Sequence, residues 1–299
     1  MGSWSKFKST WVDGNLVFAA TNGATSGDFI MNDNIKLTLG TNSDAKLFWN
    51  GSELQGPNPA SGMWANCPAL AYGDISSHYQ WTEDFMQLPI NSDASPTNWV
   101  VTADNSGTAA LKTGEYGGVL LMSTTATDND QVSMQIGSDA SGTTVEITDG
   151  NGYEVWFEAR VHPSMSTECA VFIGLAEEGV GTDFISDNGA SLNNKDSIGF
   201  VKFTDANDEW DFRYKTEGYI AYIDANIVTD ADDYHTFGFH FDGASVLTPY
   251  VDGTAQTTID TSAASFPSGE EMSPIISIKN GTGATTSLDV DWIRLVGQR

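Results

Sequence analysis

Short apolar stretches separated by turn residues constrain the fold of this chain more than any other feature. Residues 35–39, 132–136 and 210–214 alternate apolar and polar positions, which is the period of a strand with one buried face. Gly, Asn and Asp, which favour tight turns, lie between such stretches, and the chain holds 30 glycines. No amphipathic stretch with a helical period reaches about ten residues. The sequence therefore predicts an all-β antiparallel sandwich or barrel.

A run of Gly, Pro and Asn at residues 56–59 interrupts strand pairing and predicts a boundary in the chain. Before it, residues 1–56 carry five acidic and four basic side chains, a net charge of −1. The whole chain has a formal net charge of −27, so almost all of the excess charge follows the boundary. The sequence predicts an anchoring arm with a hairpin over residues 1–56, a linker over 57–80 and a domain over 81–299.

The acidic composition argues against several partner classes. A surface with 40 acidic and 13 basic residues repels phosphate, so we expect neither nucleic acid nor an anionic membrane as a partner. No apolar run approaches the roughly 18 residues of a transmembrane helix, and the first residues lack the apolar stretch of a signal peptide. Two cysteines, Cys67 and Cys169, are too few for a disulfide framework, and we expect two buried thiols rather than one bridge.

Aromatic residues of the near-neutral arm are the candidates for binding another protein. A Gly-, Ser- and Thr-rich segment of this length cannot bury enough apolar surface to fold alone, so it needs a partner surface. We expect that surface on neighbouring subunits, and packing on the chain's own second domain is the alternative. The candidate partner-binding residues are Trp4, Phe7, Trp11, Phe18 and Trp49.

Two segments near the C-terminus resemble the concanavalin A-like jelly rolls, which include laminin-G-like modules, lectins and laminarinase-type glucanases. They are Tyr-His-Thr-Phe-Gly-Phe at 234–239 and Pro-Tyr-Val-Asp-Gly at 249–253, and a strand pattern at 288–295 resembles the last strand of that fold. The resemblance covers about residues 80–299. It implies an antiparallel jelly-roll sandwich, whose alternate aromatic and aliphatic residues fill the space between two sheets, preceded by an extended N-terminal β arm.

The arm itself contains a hairpin pattern similar to one in tailed-phage virion proteins. Ile-Lys-Leu-Thr-Leu-Gly at 35–40 is followed by a strand pattern at 45–49 and by Asn-Gly-Ser-Glu-Leu at 50–54. In those proteins such a unit precedes an adhesive or decorating domain. Together the two resemblances imply a bacteriophage structural protein located in the virion. They imply other virion proteins as partners, above all the major capsid protein, and a homotrimer or another homo-oligomer.

Comparison with the glucanases argues against enzymatic activity. Those enzymes place their catalytic carboxylates on one strand in the pattern Glu-x-Asp-x-x-Glu. The matching region here holds Glu177 and Glu178, which are adjacent and therefore point to opposite faces of a strand. Glu154 and Glu158 share a face but lack the middle Asp, and we expect them to flank Trp156 on a solvent-facing side. The sequence predicts no catalytic residues.

Tryptophans outside the clear strand patterns and acidic turns are the remaining candidate sites. Trp64, Trp81 and Trp99 lie in loop-like surroundings, where they either pack between subunits or offer a stacking platform for a glycan. Weak calcium candidates are Asp128, Asp130, Asp205 and Asp208. Calcium prefers carboxylate and carbonyl oxygens, but none of these turns holds a complete helical-hand calcium loop. We therefore predict no cofactor apart from this calcium option.

Four functions follow from these observations, and one is favoured. The favoured prediction is a capsid decoration or cement protein, which docks through its arm and buries apolar area at seams of the shell. The first alternative is a tail-fibre or host-adhesion lectin that binds surface glycan. The others are a glycan-degrading jelly-roll hydrolase and a secreted carbohydrate-binding module. Head and tail locations stay open at this point.

Overall fold

The structure, a computed structural model, divides the chain into two compact units, Met1–Pro57 and Asn58–Arg299. The boundary falls inside the Gly-Pro-Asn-Pro run. In the first unit the structure describes the strand backbones at 7–12, 15–20, 36–39, 45–49 and 54–55. In the second unit it describes residues 63–64, 67, 78–88, 99–137, 145–163, 169–189, 191–193, 195–204, 209–217, 233–281 and 283–299, and the strand backbone at 221–228.

The strands that the structure describes in the first unit form two small antiparallel sheets. Strands β1 (Phe7–Val12) and β2 (Asn15–Ala20) form a two-stranded ribbon. Strands β3 (Lys36–Leu39), β4 (Ala45–Trp49) and β5 (Leu54–Gln55) form a three-stranded sheet in that order. The predicted hairpin is confirmed, because β3 and β4 coincide with the two strand patterns and pair with each other.

The second unit contains seventeen strands within its described residues. The first nine are β6 (His78–Glu83), β7 (Trp99–Ala103), β8 (Thr108–Leu111), β9 (Leu120–Ser123), β10 (Gln131–Ile136), β11 (Val145–Ile147), β12 (Val155–Pro163), β13 (Cys169–Glu177) and β14 (Ser197–Lys202). The next eight are β15 (Glu209–Lys215), β16 (Ala221–Val228), β17 (His235–Phe241), β18 (Val246–Val251), β19 (Thr254–Ala255), β20 (Ile259–Asp260), β21 (Glu270–Asn280) and β22 (Ser287–Gln298). A short 3-10 helix at Asp187–Gly189 lies between β13 and β14.

These strands form two antiparallel sheets. Sheet I has the order β16-β15-β14-β13-β21-β10-β7, and β11 also pairs with β21. Sheet II has the order β19-β18-β17-β12-β22-β9-β8, while β20 pairs with β18 and β6 with β22. Several neighbouring strands, such as β13 and β21 in sheet I and β12 and β22 in sheet II, are far apart in sequence. Such pairs are typical of a jelly roll, where the chain crosses repeatedly between two layers. The predicted all-β antiparallel jelly-roll sandwich is confirmed.

The core lies between the two sheets and follows from the period of two along each strand. On β12, Val155, Phe157 and Val161 face inward and are buried. The Phe157 ring packs 5.3 Å from the ring of Phe239 on β17, measured between centroids. Phenylalanines of both sheets extend this contact into one aromatic cluster that includes Phe212, 5.7 Å from Phe239. Side chains of this kind contribute about 1.5–3 kcal/mol each when fully buried.

Asp242 and Gly243 form the turn between β17 and β18, as expected for residues that favour tight turns. The Asp242 carboxylate accepts hydrogen bonds from the backbone N–H groups of three following residues, Ala244 to Val246, at 2.9–3.0 Å. Gly243 has a φ of +73°, which favours glycine, and a Cβ there would lie 2.6 Å from the carbonyl carbon of Gly152. The turn is therefore locked against the loop that precedes β12.

The described residues of the segment 57–80 pack on the sandwich instead of forming a free linker. Met63, Trp64 and Cys67 are buried in one cluster with Trp156, and His78 begins β6 at the edge of sheet II. The second unit accordingly starts at Asn58. No disulfide joins the two cysteines, since Cys67 lies in this cluster and Cys169 lies in the core between the sheets. The expectation of two buried thiols is confirmed.

Among the residues that the structure describes, no helix has the length and apolar character needed to span a bilayer.

Candidate interaction sites

The β1–β2 ribbon brings three of the predicted partner-binding residues to one face. Its register pairs Phe7 with Ala20, Ser9 with Phe18 and Trp11 with Leu16. Because alternate positions of a strand share a face, the positions of Phe7, Trp11 and Phe18 fall together. The opposite face holds the positions of Lys8, Thr10 and Val17, paired as Lys8 with Ala19 and Thr10 with Val17. The ribbon thus has one aromatic and one more polar face.

The other two predicted residues of the arm are placed differently. Trp49 is the last residue of β4 and pairs with Leu54 on β5, so it belongs to the three-stranded sheet and not to the ribbon. Trp4 lies outside the described residues. Of the five aromatic residues that the sequence predicts to bind a partner, the strand register therefore places three on one face.

A ribbon of this size needs a partner surface for its stability. An isolated two-stranded hairpin is at best marginally stable in water, because it buries too little apolar area against the loss of chain entropy. The near-neutral charge of the arm also makes docking onto another protein easier than it would be for the acidic second unit, since like-charge repulsion is small. The aromatic face of the ribbon is the candidate partner-binding site.

Part of the outer face of sheet II, around Trp156, is covered by Met63, Trp64 and Cys67, which corrects the expectation for Glu158 and Trp156. Trp156 is fully buried beneath Met63, Trp64 and Cys67, and Glu158 is 8% exposed. The Trp64 indole N–H donates a hydrogen bond of 2.5 Å to Glu158 Oε2. Burial raises the pKa of Glu158, and the Trp64 hydrogen bond opposes that rise. This part of the face is covered because a segment distant in sequence packs on it.

Glu154 and Glu158 do not form a glycosidase pair. Four residues along a strand span about 13 Å, while the carboxylates of retaining and inverting glycosidases are about 5–9.5 Å apart. Trp156 lies between them on the same face and stacks on His240 with ring centroids 4.7 Å apart. His240 Nε2 is 2.7 Å from Glu154 Oε2. Glu154 therefore contacts His240, while Glu158 contacts Trp64, and the two carboxylates share no partner.

The outer face of sheet I is covered by the described residues of 178–196, which we call the strap. Phe184 of the strap packs edge-on against Phe172 of β13, with centroids 5.0 Å apart. The outward positions of β13 include Ala170, Phe172 and Ala176, all buried, so this strand presents apolar residues where the glucanase pattern places carboxylates. Glu177, at its end, forms an ion pair of 3.2 Å with Lys195.

Buried polar side chains of the sheet hold the strap in place. Gln131 accepts a hydrogen bond from the N–H of Ile185 at 2.9 Å and donates one to Gly181 O at 3.2 Å. Lys279 donates to Ile185 O at 2.8 Å and to Asp187 Oδ1 at 3.1 Å. Gln131 and Lys279 are fully buried, so these contacts with the strap satisfy polar side chains that water does not reach, and the strap is an integral layer of the fold.

The structure corrects the loop placement of the candidate glycan-binding tryptophans. Trp81 lies within β6 and Trp99 begins β7, and their rings meet edge to face with centroids 5.7 Å apart. Trp99 is 2% exposed, and its indole N–H donates to Glu83 Oε2 at 3.3 Å. Trp64 is 5% exposed in the cover of sheet II. A stacking platform needs an accessible ring face, which Trp64 and Trp99 lack.

The structure describes two of the four candidate calcium ligands. Asp130 is fully buried, and its Oδ2 accepts hydrogen bonds from the N–H and the hydroxyl of Thr125 at 2.5 and 2.6 Å. Asp128 is exposed on the same turn. Asp205 and Asp208 lie outside the described residues. Among those that are described, no three His, Cys, Asp or Glu side chains lie close enough to hold a metal ion, so calcium binding stays a prediction.

Comparison with known proteins identifies the fold. No protein-family model and no curated protein sequence matches the chain. A protein of unknown function from Shewanella oneidensis MR-1 has a TM-score of 0.50 and 12% identity, and the match covers 74% of this chain and 87% of that one. The carbohydrate recognition domain of Emp47p has a TM-score of 0.46 and 16% identity over 74% and 97%. The β-glucanase of Bacillus licheniformis has a TM-score of 0.44 and 14% identity over 72% and 97%.

The structural neighbours are concanavalin A-like jelly rolls of the lectin and glucanase type. At these identities the likeness concerns the fold alone.

Proposed function

We propose that the chain is a non-enzymatic structural protein of a tailed-phage virion, most specifically a decoration protein that docks on the major capsid protein through its N-terminal unit. The observation that carries the proposal is the β1–β2 register, which places Phe7, Trp11 and Phe18 on one face of a ribbon. The ribbon belongs to a compact unit separate from the jelly roll. A unit of this kind is stable when another protein covers its apolar face.

The energetics of such an anchor favour a role in binding. Burying a large apolar side chain contributes about 1.5–3 kcal/mol, so two of the ribbon's aromatic residues contribute about 3–6 kcal/mol to docking. Copies repeated by the symmetry of a shell, as a homotrimer or another homo-oligomer, multiply that contribution. The second unit carries nearly all of the excess negative charge of the chain, and like-charged surfaces that face water keep particles from associating.

The alternative functions have less support from the geometry. A host-adhesion lectin built on the predicted tryptophans needs accessible rings, but Trp64 and Trp99 are buried. A hydrolase built on Glu154 and Glu158 needs two carboxylates within reach of one sugar bond, but their positions are about 13 Å apart along the strand. The outward positions of β13 are apolar and covered by the strap. These observations favour a binding role for the arm over chemistry in the sandwich.

Co-sedimentation with purified capsids that lack the protein tests the proposal. The full chain with Trp11→Ala and Phe18→Ala is expected to bind at least a hundredfold more weakly than the wild type, because about 3 kcal/mol or more of burial is lost. The matched control is Val12→Ala with Val17→Ala, whose positions fall on the opposite face of the same ribbon. Equal binding by the wild type and the Trp11/Phe18 variant, or no binding of the wild type to the capsids, contradicts the proposal.

A further inference from the structure

Strand β7 forms one edge of sheet I, and among the described residues no other strand lies on its free side. On its other side β7 pairs with β10 through five consecutive residue pairs without a bulge. Its sequence, Trp-Val-Val-Thr-Ala, holds no proline and no charged residue. Edge strands of natural proteins are commonly protected from pairing by a charge, a proline or a bulge, and β7 has none of these devices.

The opposite edge of sheet I provides the contrast. Strand β16 contains Asp224, and its pairing with β15 shifts register between Trp210 and Phe212. A charged residue and an irregular register both disfavour the addition of another strand. The comparison singles out β7 as the edge of this sheet that can accept one.

The backbone groups of Val101 and Ala103 point to the free side of β7. The Asp104 N–H donates to Gln131 O at 2.9 Å, so these two residues, which are next in the register, form a hydrogen-bonded pair. Such pairs alternate with non-hydrogen-bonded pairs along an antiparallel ladder. Thr102 therefore bonds β10, while the N–H and C=O groups of Val101 and Ala103 face away from it. No described residue bonds these four groups, which match the pattern that an added strand needs.

A groove of about 270 Å³ lies beside this edge on the outer face of sheet I. Val100 and Thr102 line it together with Ser133 and Gln135, because the register opposes these residues and places them on one face. The strap forms the other wall through residues 179–181. Small-molecule sites usually measure about 300–1,000 Å³, so this smaller groove suits side chains of an extended segment.

The lining of the groove favours uncharged side chains. It holds no charged residue, and Val100 and Val180 are apolar. The Gln135 amide is already engaged, since it accepts from the N–H of Val180 at 3.3 Å and donates to Ala176 O at 3.1 Å. A β-branched side chain that enters the groove therefore gains apolar contact without displacing a hydrogen bond of the fold.

Acidic residues border the edge and the groove. Asp104 follows β7, Asp128 lies on the turn that leads into β10, and both are exposed. Glu178 precedes the strap residues that line the groove. The second unit also carries nearly all of the negative charge of the chain. Like-charge repulsion opposes the pairing of two copies at this edge, and the same charge attracts a basic partner.

We propose that β7 accepts an extended, basic segment of a partner protein as an additional antiparallel strand of sheet I. The backbone of that segment pairs with Val101 and Ala103, and its uncharged side chains enter the groove beside Val100 and Thr102. Basic residues at its ends face the acidic border. The site belongs to the second unit, whereas the proposed anchor belongs to the first, so strand addition does not depend on capsid docking.

Fluorescence polarisation with the full chain and a labelled heptapeptide, Lys-Val-Thr-Val-Thr-Val-Lys, tests the site. One control peptide replaces both lysines by Glu, and another replaces the central Val by Pro. We expect the basic peptide to bind about tenfold or more tightly than either control, because the first control is repelled and the second cannot complete the ladder. Amide hydrogen exchange, followed by NMR, should slow at Val101 and Ala103 when the peptide binds.

Ala103→Pro tests the backbone pairing, because proline removes an N–H that the ladder with β10 does not use. It should weaken peptide binding about tenfold or more. The matched control is Ala109→Pro on β8, the edge strand of sheet II. The Lys112 N–H donates to Val119 O at 2.7 Å, so Ala109 is also at a non-hydrogen-bonded position and its N–H faces a free edge. This control should leave peptide binding unchanged.

Thr102→Lys tests the groove and its charge. A lysine beside the groove should repel the basic peptide and protect the edge, as charged residues do in natural edge strands. Thr108→Lys introduces the same charge at an exposed position of β8 and should leave binding unchanged. Thermal melts verify that all four variants remain folded.

Four outcomes overturn the proposal. The first is no binding of the basic peptide, and the second is equal binding of the basic peptide and either control peptide. The third is binding that survives both Ala103→Pro and Thr102→Lys. The fourth is an oligomer of the free chain, seen in sedimentation velocity, that Ala103→Pro dissociates, because it would assign this edge to a second copy.

Discussion

Replacing Trp64 by Phe is expected to loosen the segment that covers part of sheet II. The indole N–H of Trp64 donates to the buried carboxylate of Glu158, and phenylalanine removes that donor while keeping most of the ring. A hydrogen bond to a charged group contributes about 1.5–3 kcal/mol. For a domain of 150–250 residues each kcal/mol moves the melting temperature by about 2–4 °C, so the expected loss is about 3–12 °C.

Trp292→Phe is the matched control for this experiment. Trp292 lies on β22. The guanidinium of Arg294 lies 5.3 Å from the ring centroid of Trp292 and 5.1 Å from the ring centroid of Trp64. Both substitutions therefore remove an indole N–H beside Arg294, but Trp64 is buried while Trp292 is half-buried, and only Trp64 donates to Glu158. Differential scanning calorimetry at pH 7 compares them. Equal melting temperatures for both variants would refute the assigned role of the hydrogen bond.

The same contact predicts a dependence on pH. Burial raises the pKa of Glu158 above its ordinary value, against the opposing effects of Trp64 and Arg294. Its stabilising contribution is therefore complete below the ordinary carboxyl pKa and is lost as the pH rises through the raised pKa of the folded state. Glu158→Gln keeps an acceptor for Trp64 and does not ionise. Its stability relative to the wild type, measured by urea unfolding, should improve from pH 4 to pH 8, and a constant difference contradicts the explanation.

Three further substitutions test the packing. Lys279→Met removes a charged donor from the carbonyl of Ile185. It should lower the free energy of unfolding in urea by about 1.5–3 kcal/mol and increase hydrogen exchange at Ile185. Unchanged exchange at Ile185 would contradict the role of the strap. Gly243→Ala should destabilise by more than about 1 kcal/mol, because φ is +73° and the added Cβ meets Gly152; a neutral effect would exclude that close approach. Phe239→Ala should cost about 3–5 kcal/mol as a core truncation, and a loss under 1 kcal/mol in urea would show that the site is not packed as described.

Local patterns predicted the strands because they depend on neighbouring residues. The alternation at 132–136 became β10, and the Asp242-Gly243 turn joins β17 to β18. The charge change and the Gly-Pro-Asn-Pro run predicted a division that lies between Pro57 and Asn58. Each of these signals acts over a few residues, so it can be read without knowledge of the tertiary structure.

The covered sheet faces could not be predicted in the same way. Trp64 meets Glu158 across 94 positions of sequence, and nothing near either residue indicates the other. Gln131 looks like the polar side of an alternating strand, yet the strap buries it. The glutamine itself was one signal in the sequence. A side-chain amide can accept a hydrogen bond from a backbone N–H and donate one to a carbonyl, so it suits a position that a loop covers. The sequence predicts loops for Trp81 and Trp99 because β6 is short and rich in polar residues and because Trp99 is the first residue of β7.

The most direct test of the proposed anchoring role is a cryo-electron microscopy reconstruction of phage capsids to which the purified chain has been added. The account predicts that residues 1–57 lie against the major capsid protein, with the face of Phe7, Trp11 and Phe18 buried in the contact and the acidic jelly roll turned to solvent. A reconstruction in which the jelly roll makes the contact and the ribbon faces water would contradict it, as would the absence of the chain from the shell.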